Sequence, residues 1–449
     1  MSKDIRIKKG LNINLVGAAE QVSAKAIKSN TYAICPDDFH GVTPKIIAKA
    51  GTEVKAGSPI FYSKENDQIL FNSPVSGTLT EIVRGAKRKI LAFKIEASGD
   101  QSSEDFGVKD VSSMSGDEIK SHLLKSGVWP FVKQRPYDVI ANPEVAPKAI
   151  FISGYNSAPL AADLDYILDG KENELNAAVT ALSKLTSGKV HVSVHNLASA
   201  LAKVDNAEIH TLSGPHPIGN VSTQIAQVDP INKGEVVWTV SAQDLVIIGE
   251  LLLTGKYNAT RKVAVVGSSV KNPKYYETVI GAEVSTFAYD AGIDGTNIRM
   301  INGNVLTGKT VAPDGYLASN VDTFSVIPEG DDYEFFGWNK PIFNKISTSR
   351  ALTFSWLNPK KQYELTTNTN GEHRAFVVTG SYEEVFPLDI YPLQLLKSCM
   401  VKDLDAMEAM GMYEVAPEDF AVTEFICVSK QPHQKIIREG LDLMYKEIG

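Results

Sequence analysis

Cysteine is scarce in this sequence, with only Cys35, Cys399 and Cys427 among 449 residues. Their odd number and wide spacing exclude a disulfide framework and predict a reducing compartment. An iron–sulfur cluster held only by thiolates of this chain is excluded by count, because a cubane cluster normally needs four. We expect Cys399 and Cys427 to behave as small buried apolar residues.

Long apolar runs and an excess of positive charge are also missing. The best apolar run, Leu245 to Leu253, is shorter than the roughly 20 residues of a spanning helix and contains Glu250. The N-terminus, MSKDIRIKKG, lacks the apolar stretch of a signal peptide. A net charge of −8 disfavours nucleic acid and an anionic membrane surface as partners. We therefore expect contact with a membrane only through partner proteins.

The composition is that of a globular protein, with 43% hydrophobic and 22% charged residues, and the length predicts about three domains. Residues 1–97 contain short strand-like runs separated by glycine and proline. Gly51, Gly57, Pro74 and Gly77 sit at turn positions in a pattern that resembles lipoyl-type barrel-sandwich domains. Carriers of that type bear a lysine at a hairpin tip, and the register predicts this tip near Asn66. Because the nearest lysine is two residues away, we expect a structural barrel rather than a biotin or lipoate carrier.

The rest of the chain predicts a multidomain α+β protein. Residues 98–118 are rich in serine, aspartate and glycine and predict a linker. Residues 119–255 alternate between strands such as KAIFISGY and helices such as NELNAAVTALSKL, which predicts a Rossmann-like α/β domain. The run VGSSVKNP within residues 256–335 resembles SLBB modules, which are small β-grasp domains. Residues 336–449 are predicted as a C-terminal region with helices.

Several segments together resemble one family. They are IKKGLNINLVGAAEQ, SGVWPFVKQRPYDVI, AIFISGYNSAPLAAD, HTLSGPHPIGNVSTQI, MINGNVLTGK and VIPEGDDYEFFGW at 326–338. In order and spacing they resemble the A subunit of the Na+-translocating NADH:quinone reductase, over nearly the whole chain. More distant resemblances are to the C subunit of Rnf complexes and to the flavoprotein subunit of respiratory complex I.

The resemblance implies a peripheral subunit on the cytoplasmic side of the bacterial inner membrane. It implies a six-subunit complex that passes electrons from NADH to ubiquinone and exports Na+. It further implies docking on the membrane-embedded B subunit, help in forming the quinone site, and flavins and iron–sulfur centres in other subunits only. No catalytic residue is expected in this chain.

Flavin-binding relatives open their Rossmann layer with a glycine-rich loop, because backbone N–H groups approach a phosphate only where side chains are absent. The matching segment here keeps Gly127 but has Val128, Trp129 and Pro130 beside it. Tryptophan is bulky and proline lacks an N–H donor. We therefore expect no flavin on this chain. An Rnf-like subunit that binds FMN and oxidises NADH is the alternative, and flavin in the purified chain would favour it.

The segment that replaces the glycine loop supplies candidates for quinone binding. A quinone head needs hydrogen-bond donors beside flat apolar walls. Trp129, Phe131 and Tyr137 are predicted walls, and Lys133 and Arg135 are predicted donors. The alternative is that the aromatic residues only fill the space that flavin occupies in the relatives.

The histidines do not predict a metal site. His191 and His195 share a face of a predicted strand, but four residues of strand span about 13 Å, which one ion cannot bridge. His216 lies between Pro215 and Pro217 and is expected to serve a rigid turn. No metal is therefore expected.

Overall fold

The computed structural model describes residues 2–293, 295–337, 340, 343–351 and 355–449. The described residues form twenty strands, which are, in chain order, β1 (Asp4–Arg6), β2 (Glu20–Lys25), β3 (Thr31–Ile34), β4 (Pro44–Ile46), β5 (Glu53–Val54), β6 (Pro59–Ser63), β7 (Asn66–Asn72), β8 (Gly77–Arg84), β9 (Ile90–Ala97), β10 (Val132–Arg135), β11 (Val139–Ile140), β12 (Ala149–Ser153), β13 (Val190–Val194), β14 (Glu208–Ser213), β15 (Val237–Val240), β16 (Thr260–Val266), β17 (Lys274–Val279), β18 (Ile298–Asn302), β19 (Lys309–Val311) and β20 (Thr323–Pro328). The same residues form eleven α-helices, which are α1 (Gly116–Lys125), α2 (Leu164–Leu168), α3 (Glu172–Ser183), α4 (Val221–Val228), α5 (Ala242–Thr254), α6 (Ser285–Ala288), α7 (Ser381–Val385), α8 (Pro392–Val401), α9 (Leu404–Ala409), α10 (Ala421–Ile426) and α11 (His433–Glu447).

Two small sheets face each other near the N-terminus, as predicted for a barrel-sandwich. One has the order β3-β9-β8-β5 and the other the order β4-β6-β7. Phe61 stacks on Phe71 and on Phe93, with ring centroids 4.4 and 4.8 Å apart. All three rings are buried, so their large apolar area holds the two sheets together.

The hairpin between β6 and β7 turns at a different place from the one predicted. Ser63 pairs with Asn66, so the turn consists of Lys64 and Glu65. The predicted tip, Asn66, is the first residue of β7. Counting back from Pro74 assumes a regular ladder, whereas the pairing of β6 with β7 shifts register twice. Lys64 therefore does occupy the turn. The prediction that the hairpin tip lacks a lysine, which was the argument against a biotin or lipoate carrier, is wrong.

The first two strands lie within the segment predicted as barrel-sandwich but belong to other sheets. Strand β1 pairs in parallel with β14, and β2 pairs in parallel with β17. The N-terminal segment thus ties the three β-containing parts of the chain together before it enters the sandwich.

The central layer is a seven-stranded sheet of order β1-β14-β13-β12-β15-β10-β11. Strands β1, β14, β13, β12 and β15 run parallel, whereas β10 and β11 are antiparallel to their neighbours. All five residues of β13 are buried, as expected of a parallel strand covered on both faces. Helices α3 and α5 pack against one another on this layer. The strand–helix alternation predicted for this region is therefore present.

Two boundaries in this region differ from the predictions. Helix α1 begins at Gly116 because Ser115 and Glu118 form a capping box, so the predicted linker ends at residue 115. The helix predicted over LAADLDYIL is limited to Leu164–Leu168. Its start is fixed by Asp163, whose carboxylate accepts from the N–H groups of Asp165 and Tyr166.

A six-stranded sheet of order β19-β18-β20-β16-β17-β2 occupies the place predicted for the SLBB-like module. Tyr276, Phe287 and Phe324 lie in its core. Gly267 directly follows β16 and has φ +119°, and a Cβ there would lie 2.0 Å from the carbonyl oxygen of Val326. The glycine of the SLBB-like motif is thus required by a close approach of β20.

The predicted helical tail packs on the seven-stranded sheet. Phe386, Leu395, Phe420 and Ile437 from the tail share a core cluster with Phe151 of β12. Trp338, the last residue of the VIPEGDDYEFFGW segment, lies outside the described residues. Among the described residues, no helix combines the length and the apolar character that crossing a bilayer would require.

Candidate functional site

The loop after α1 holds the remaining glycine of the expected phosphate-binding segment. Gly127 has φ +70°, and a Cβ on it would lie 2.2 Å from the side-chain nitrogen of Asn72 in β7. That nitrogen donates to the carbonyl oxygen of Ser126 at 2.8 Å. The space against Gly127 is therefore filled by a side chain of the sandwich domain rather than open to a phosphate.

Trp129 lies in the core between the sandwich and the central layer. It is completely buried, and its indole N–H donates to the carbonyl oxygen of Ala141 at 2.7 Å. Its ring meets that of Trp238 edge-on, with centroids 5.3 Å apart. The only polar group of the Trp129 side chain is therefore satisfied inside the core.

Arg135 ends β10 and is 4% exposed. Its guanidinium contacts Glu418 at 3.0 Å and Asp138 at 3.6 Å. Burial opposes the charge, but Asp138 and Glu418 outweigh it and raise the pKa of Arg135. In turn, Arg135 overcomes the effect of burial on Asp138 and lowers the pKa of that carboxyl group to about 2. Arg135 thus joins the central sheet to the C-terminal region.

The structure does not bring the five predicted quinone residues into one cleft. Trp129 and Phe131 belong to the core shared with the sandwich domain. Tyr137 belongs to the core under the C-terminal helices, where its ring lies 5.1 Å from that of Tyr445. Lys133 is half-buried and adds to the positive field at Asp138.

Phe131 alone of the five lies in a cleft where the sandwich, the central layer and the six-stranded sheet meet. Its cavity volume is about 20 Å³, which leaves room for about one water molecule. It is lined by Ile34, Phe39, Phe71, Asn72, Pro74, Gly127, Pro130, Phe131, Tyr257, Ile280 and Ser319. Mostly apolar walls with a few polar groups are typical of small-molecule sites, but such sites are far larger, so a ring-sized ligand would enter only if the walls moved apart.

Two polar side chains of this cleft have unused hydrogen-bonding capacity. The buried Oδ1 of Asn72 has no hydrogen-bond partner among the described residues. Tyr257 is 7% exposed, and its hydroxyl makes no hydrogen bond to any residue that the structure describes. Burial raises the pKa of Tyr257, so the hydroxyl stays protonated and remains a donor. One donor and one acceptor therefore lie beside the cleft, although the Asn72 oxygen is closed off from solvent in this structure.

A histidine pair lies on neighbouring strands, and the sequence pattern did not predict it. Nδ1 of His191 on β13 lies 3.0 Å from Nε2 of His210 on β14, with Glu208 3.8 Å from His191. The backbone N–H of Lys3 donates to Nδ1 of His210 at 3.0 Å, so His210 carries its proton on Nε2 and donates it to His191. Histidines that bind metals usually donate from the other ring nitrogen. The arrangement is a hydrogen-bond chain that anchors β1, and only the register of β13 with β14 could have revealed it.

The remaining predicted histidines and cysteines have structural surroundings. His195 stacks on Tyr155, with centroids 4.6 Å apart, and does not approach His191. His216 is 4% exposed, follows Pro215 in a turn and pairs with the hydroxyl of Ser157 at 3.0 Å. Cys399 and Cys427 are buried, as predicted.

The chain matches three family models. They are the NqrA N-terminal barrel-sandwich hybrid domain over residues 5–98, the NqrA second alpha/beta domain over residues 114–257 and the NQRA C-terminal domain over residues 262–312. The A subunit of the Na(+)-translocating NADH-quinone reductase of Pasteurella multocida is 34% identical over 447 residues, which cover 99% of this chain and 100% of the relative. Its counterpart from Neisseria meningitidis serogroup A is 35% identical, with the same coverage. This chain belongs to that family.

Family membership confirms the resemblance stated from the sequence. The three matched regions follow one another in the predicted order, beginning with the barrel-sandwich. Among solved structures, an NAD+-reducing nickel–iron hydrogenase in the air-oxidized state has a TM-score of 0.33 at 10% identity, covering 51% of this chain and 52% of that one. A similarity this low carries no argument about the site.

Proposed function

We propose that this chain is the peripheral A subunit of a Na+-translocating NADH:quinone reductase and acts only as a part of that complex. The observation that carries the proposal is the collinear similarity to curated A subunits over 99% of this chain and 100% of each relative. A shared single domain would leave most of the chain unexplained, whereas a full-length match extends to every sheet described above. The complex as a whole passes electrons from NADH to quinone and exports Na+.

Within this proposal, the chain is held on the cytoplasmic side of the inner membrane by membrane-embedded partners, chiefly by the B subunit. The redox cofactors of the complex are bound by other subunits. The close approach of Asn72 to Gly127 supports this division, because it occupies the position at which a phosphate cradle would have to be open.

The experiment is co-purification from the native membrane. An affinity tag on this chain should retain the other subunits in equal amounts, together with NADH:quinone reductase activity that depends on Na+. Deleting the chain should remove that activity from the membrane. A tagged chain that elutes alone from active membranes would contradict the proposal.

We further propose that the chain contributes to quinone binding through the cleft that contains Phe131. In this proposal the walls move apart to admit the ring, Phe39, Phe71 and Phe131 form its flat apolar surroundings, and the Tyr257 hydroxyl donates to a quinone carbonyl. Asn72 Oδ1 can accept from the hydroxyl of a quinol. The other predicted residues, Trp129 and Arg135 among them, would then support the walls without touching the ligand.

A further inference from the structure

One wall of the cleft that contains Phe131 is formed by an irregular segment of the sandwich domain. This segment, residues 35–43, connects β3 to β4, and its only regular structure is a single 3-10 turn at Pro36–Asp38. It is called the 35–43 strap. Phe39, in the middle of the strap, lines the cleft, and its ring meets that of Phe71 edge to face, with centroids 4.8 Å apart. Phe39 therefore fills space beside Phe71 inside the cleft.

Both ends of the 35–43 strap are fixed to the sandwich. At its start, Ile34 belongs to the antiparallel ladder of β3 with β9. At its end, the carbonyl oxygen of Thr43 accepts from the N–H of Lys64 at 2.9 Å. Between these two anchors, residues 37–43 are exposed or half-buried, whereas the last three residues of β3 are buried. Because segments with little buried apolar surface open at low cost, the middle of the strap is the part of this wall that moves most readily.

Two hydrogen-bonding groups of the strap tie its middle to the six-stranded sheet. Oδ2 of Asp38 accepts from the N–H of Ser319 at 2.9 Å and from the Ser319 hydroxyl at 3.1 Å. Ser319 is 3% exposed and lines the same cleft as Phe39. In addition, Lys309 donates to the carbonyl oxygen of Asp37 at 2.6 Å. Asp38 is therefore the strap side chain that holds the two sides of the cleft together.

The segment beyond Phe39 is held loosely. Nε2 of His40 lies 2.7 Å from Oδ1 of Asp442 on α11, and the two side chains are 41% and 47% exposed. Exposed pairs of this kind contribute little to stability. Gly41 is exposed and has φ +79°, and a Cβ added there would have a methyl group of Val139 as its nearest neighbour, at 3.8 Å. Since glycine adopts many backbone conformations, Gly41 allows the strap to rotate without a steric clash.

We propose that the 35–43 strap is the gate of the quinone cleft and that the contact of Asp38 with Ser319 is its latch. When the latch releases, the strap swings outward and Phe39 leaves the side of Phe71. The quinone ring then takes the place of the Phe39 ring against Phe71, one six-membered ring replacing another. The inference rests on the proposed quinone cleft and identifies the wall of that cleft that moves.

Cys35, at the base of the strap, reports the opening of the gate. It is half-buried, whereas Cys399 and Cys427 are buried. The purified full-length chain is treated with iodoacetamide, and mass spectrometry follows the labelling of Cys35 with time. Asp38→Ala removes a charged hydrogen-bond acceptor and should speed this labelling by about tenfold or more, because the open state becomes more populated. The circular dichroism of the variant should match that of the wild type.

Asp37→Ala is the matched control for charge. Burial, and after it the charges of Asp38 and Asp37, raise the pKa of the Cys35 thiol to about 12, so the loss of either carboxylate favours the reactive thiolate. The Asp37 carboxylate, however, pairs with Lys89 of the sandwich itself, at 2.7 Å. Asp37→Ala should therefore be labelled at close to the wild-type rate. Equal labelling rates in Asp38→Ala and Asp37→Ala would overturn the latch.

The assembled complex links the gate to quinone. If only open molecules bind quinone, the apparent dissociation constant falls by the factor by which the open fraction rises. Asp38→Ala should therefore reach half-maximal rate at a lower quinone concentration, by the same factor by which it speeds the labelling of Cys35. Ser319→Ala removes the hydroxyl and keeps the backbone N–H, so it should show both effects in smaller measure. It replaces Asp38→Ala in both measurements if that variant does not fold.

The two measurements separate the gate from the cleft. Faster labelling of Cys35 with an unchanged or higher quinone requirement in Asp38→Ala would overturn the gate alone, provided that Tyr257→Phe still raises the quinone requirement. A quinone requirement that changes in neither Asp38→Ala nor Tyr257→Phe would overturn the proposed quinone cleft as well.

Discussion

Asn72 lies directly over Gly127, so that a single methyl group on the glycine would collide with the asparagine amide. The contact joins the sandwich domain to the start of the central layer, through the hydrogen bond from Asn72 to the carbonyl of Ser126. Gly127 therefore has two constraints, its positive φ and the close approach of another domain.

Gly127→Ala should consequently destabilise the chain more than a glycine substitution at positive φ alone. The left-handed backbone costs an alanine about 1–2 kcal/mol, and overpacking against Asn72 adds about 1–3 kcal/mol. Gly170→Ala is the control, because Gly170 has φ +74° and a Cβ added there would have no atom within 4 Å. Urea unfolding of the two variants measures the difference. An equal loss of unfolding free energy in Gly127→Ala and Gly170→Ala would show that Asn72 moves aside without an energetic cost.

The same contact leads to a prediction about flavin. Because Asn72 occupies the side of Gly127 where a phosphate cradle would lie, the isolated chain should show no flavin absorbance after mild purification and should not oxidise NADH. Absorbance near the flavin maxima and mass spectrometry of the released small molecules measure this. Flavin in equal amount to the chain would favour the Rnf-like alternative.

The altered glycine segment shows which properties of the site are local. The loss of a phosphate cradle could be predicted from Trp129 and Pro130 alone. The bulk of the tryptophan and the missing N–H of the proline each prevent a phosphate from binding to the backbone at their own positions. The group that fills the space could not be predicted, since Asn72 is 54 residues from Ser126 and reaches it only through domain packing.

The predicted quinone cluster failed to converge for a related reason. Tyr137 and Trp129 are close in sequence, but β10 passes between two cores and delivers them to opposite sides. Tyr257, which lines the cleft with Phe131, is distant in sequence and could not be associated with it. Likewise, the pairing of His191 with His210 depends on strand register. Local elements were therefore predictable, whereas contacts between elements were not.

His216 gives a prediction about acid stability. Burial lowers its pKa to about 4, below the ordinary value of 6.5. In the unfolded chain His216 takes up a proton near pH 6.5, whereas in the folded chain it does not. The contribution of neutral His216 to the free energy of unfolding is therefore fully present above that pH. It is lost as the pH falls from 6.5 towards 4, by about 2 kcal/mol at pH 5.

The variant His216→Asn isolates this effect, because its side-chain oxygen can still accept from Ser157 and it does not titrate. Urea unfolding at pH 7.5 and pH 5 should show a smaller loss for the variant than for the wild type. The same pH dependence in both proteins would mean that His216 is protonated in the folded state as well.

Tyr257→Phe tests the proposed quinone contact most directly, because it removes one oxygen and keeps the apolar wall. If the hydroxyl donates to a quinone carbonyl, the assembled complex should require about tenfold more quinone for half-maximal rate, which corresponds to about 1.4 kcal/mol. Phe131→Ala should weaken quinone reduction as well. NADH oxidation with an artificial acceptor should remain at the wild-type rate in both variants, because electrons then leave the complex before they reach quinone.

Tyr445→Phe, on the C-terminal helix and 44% exposed, is the matched control and should leave quinone kinetics unchanged. Unaltered quinone kinetics in Tyr257→Phe and Phe131→Ala, with the complex fully assembled, would mean that these aromatic side chains only fill the junction between the domains.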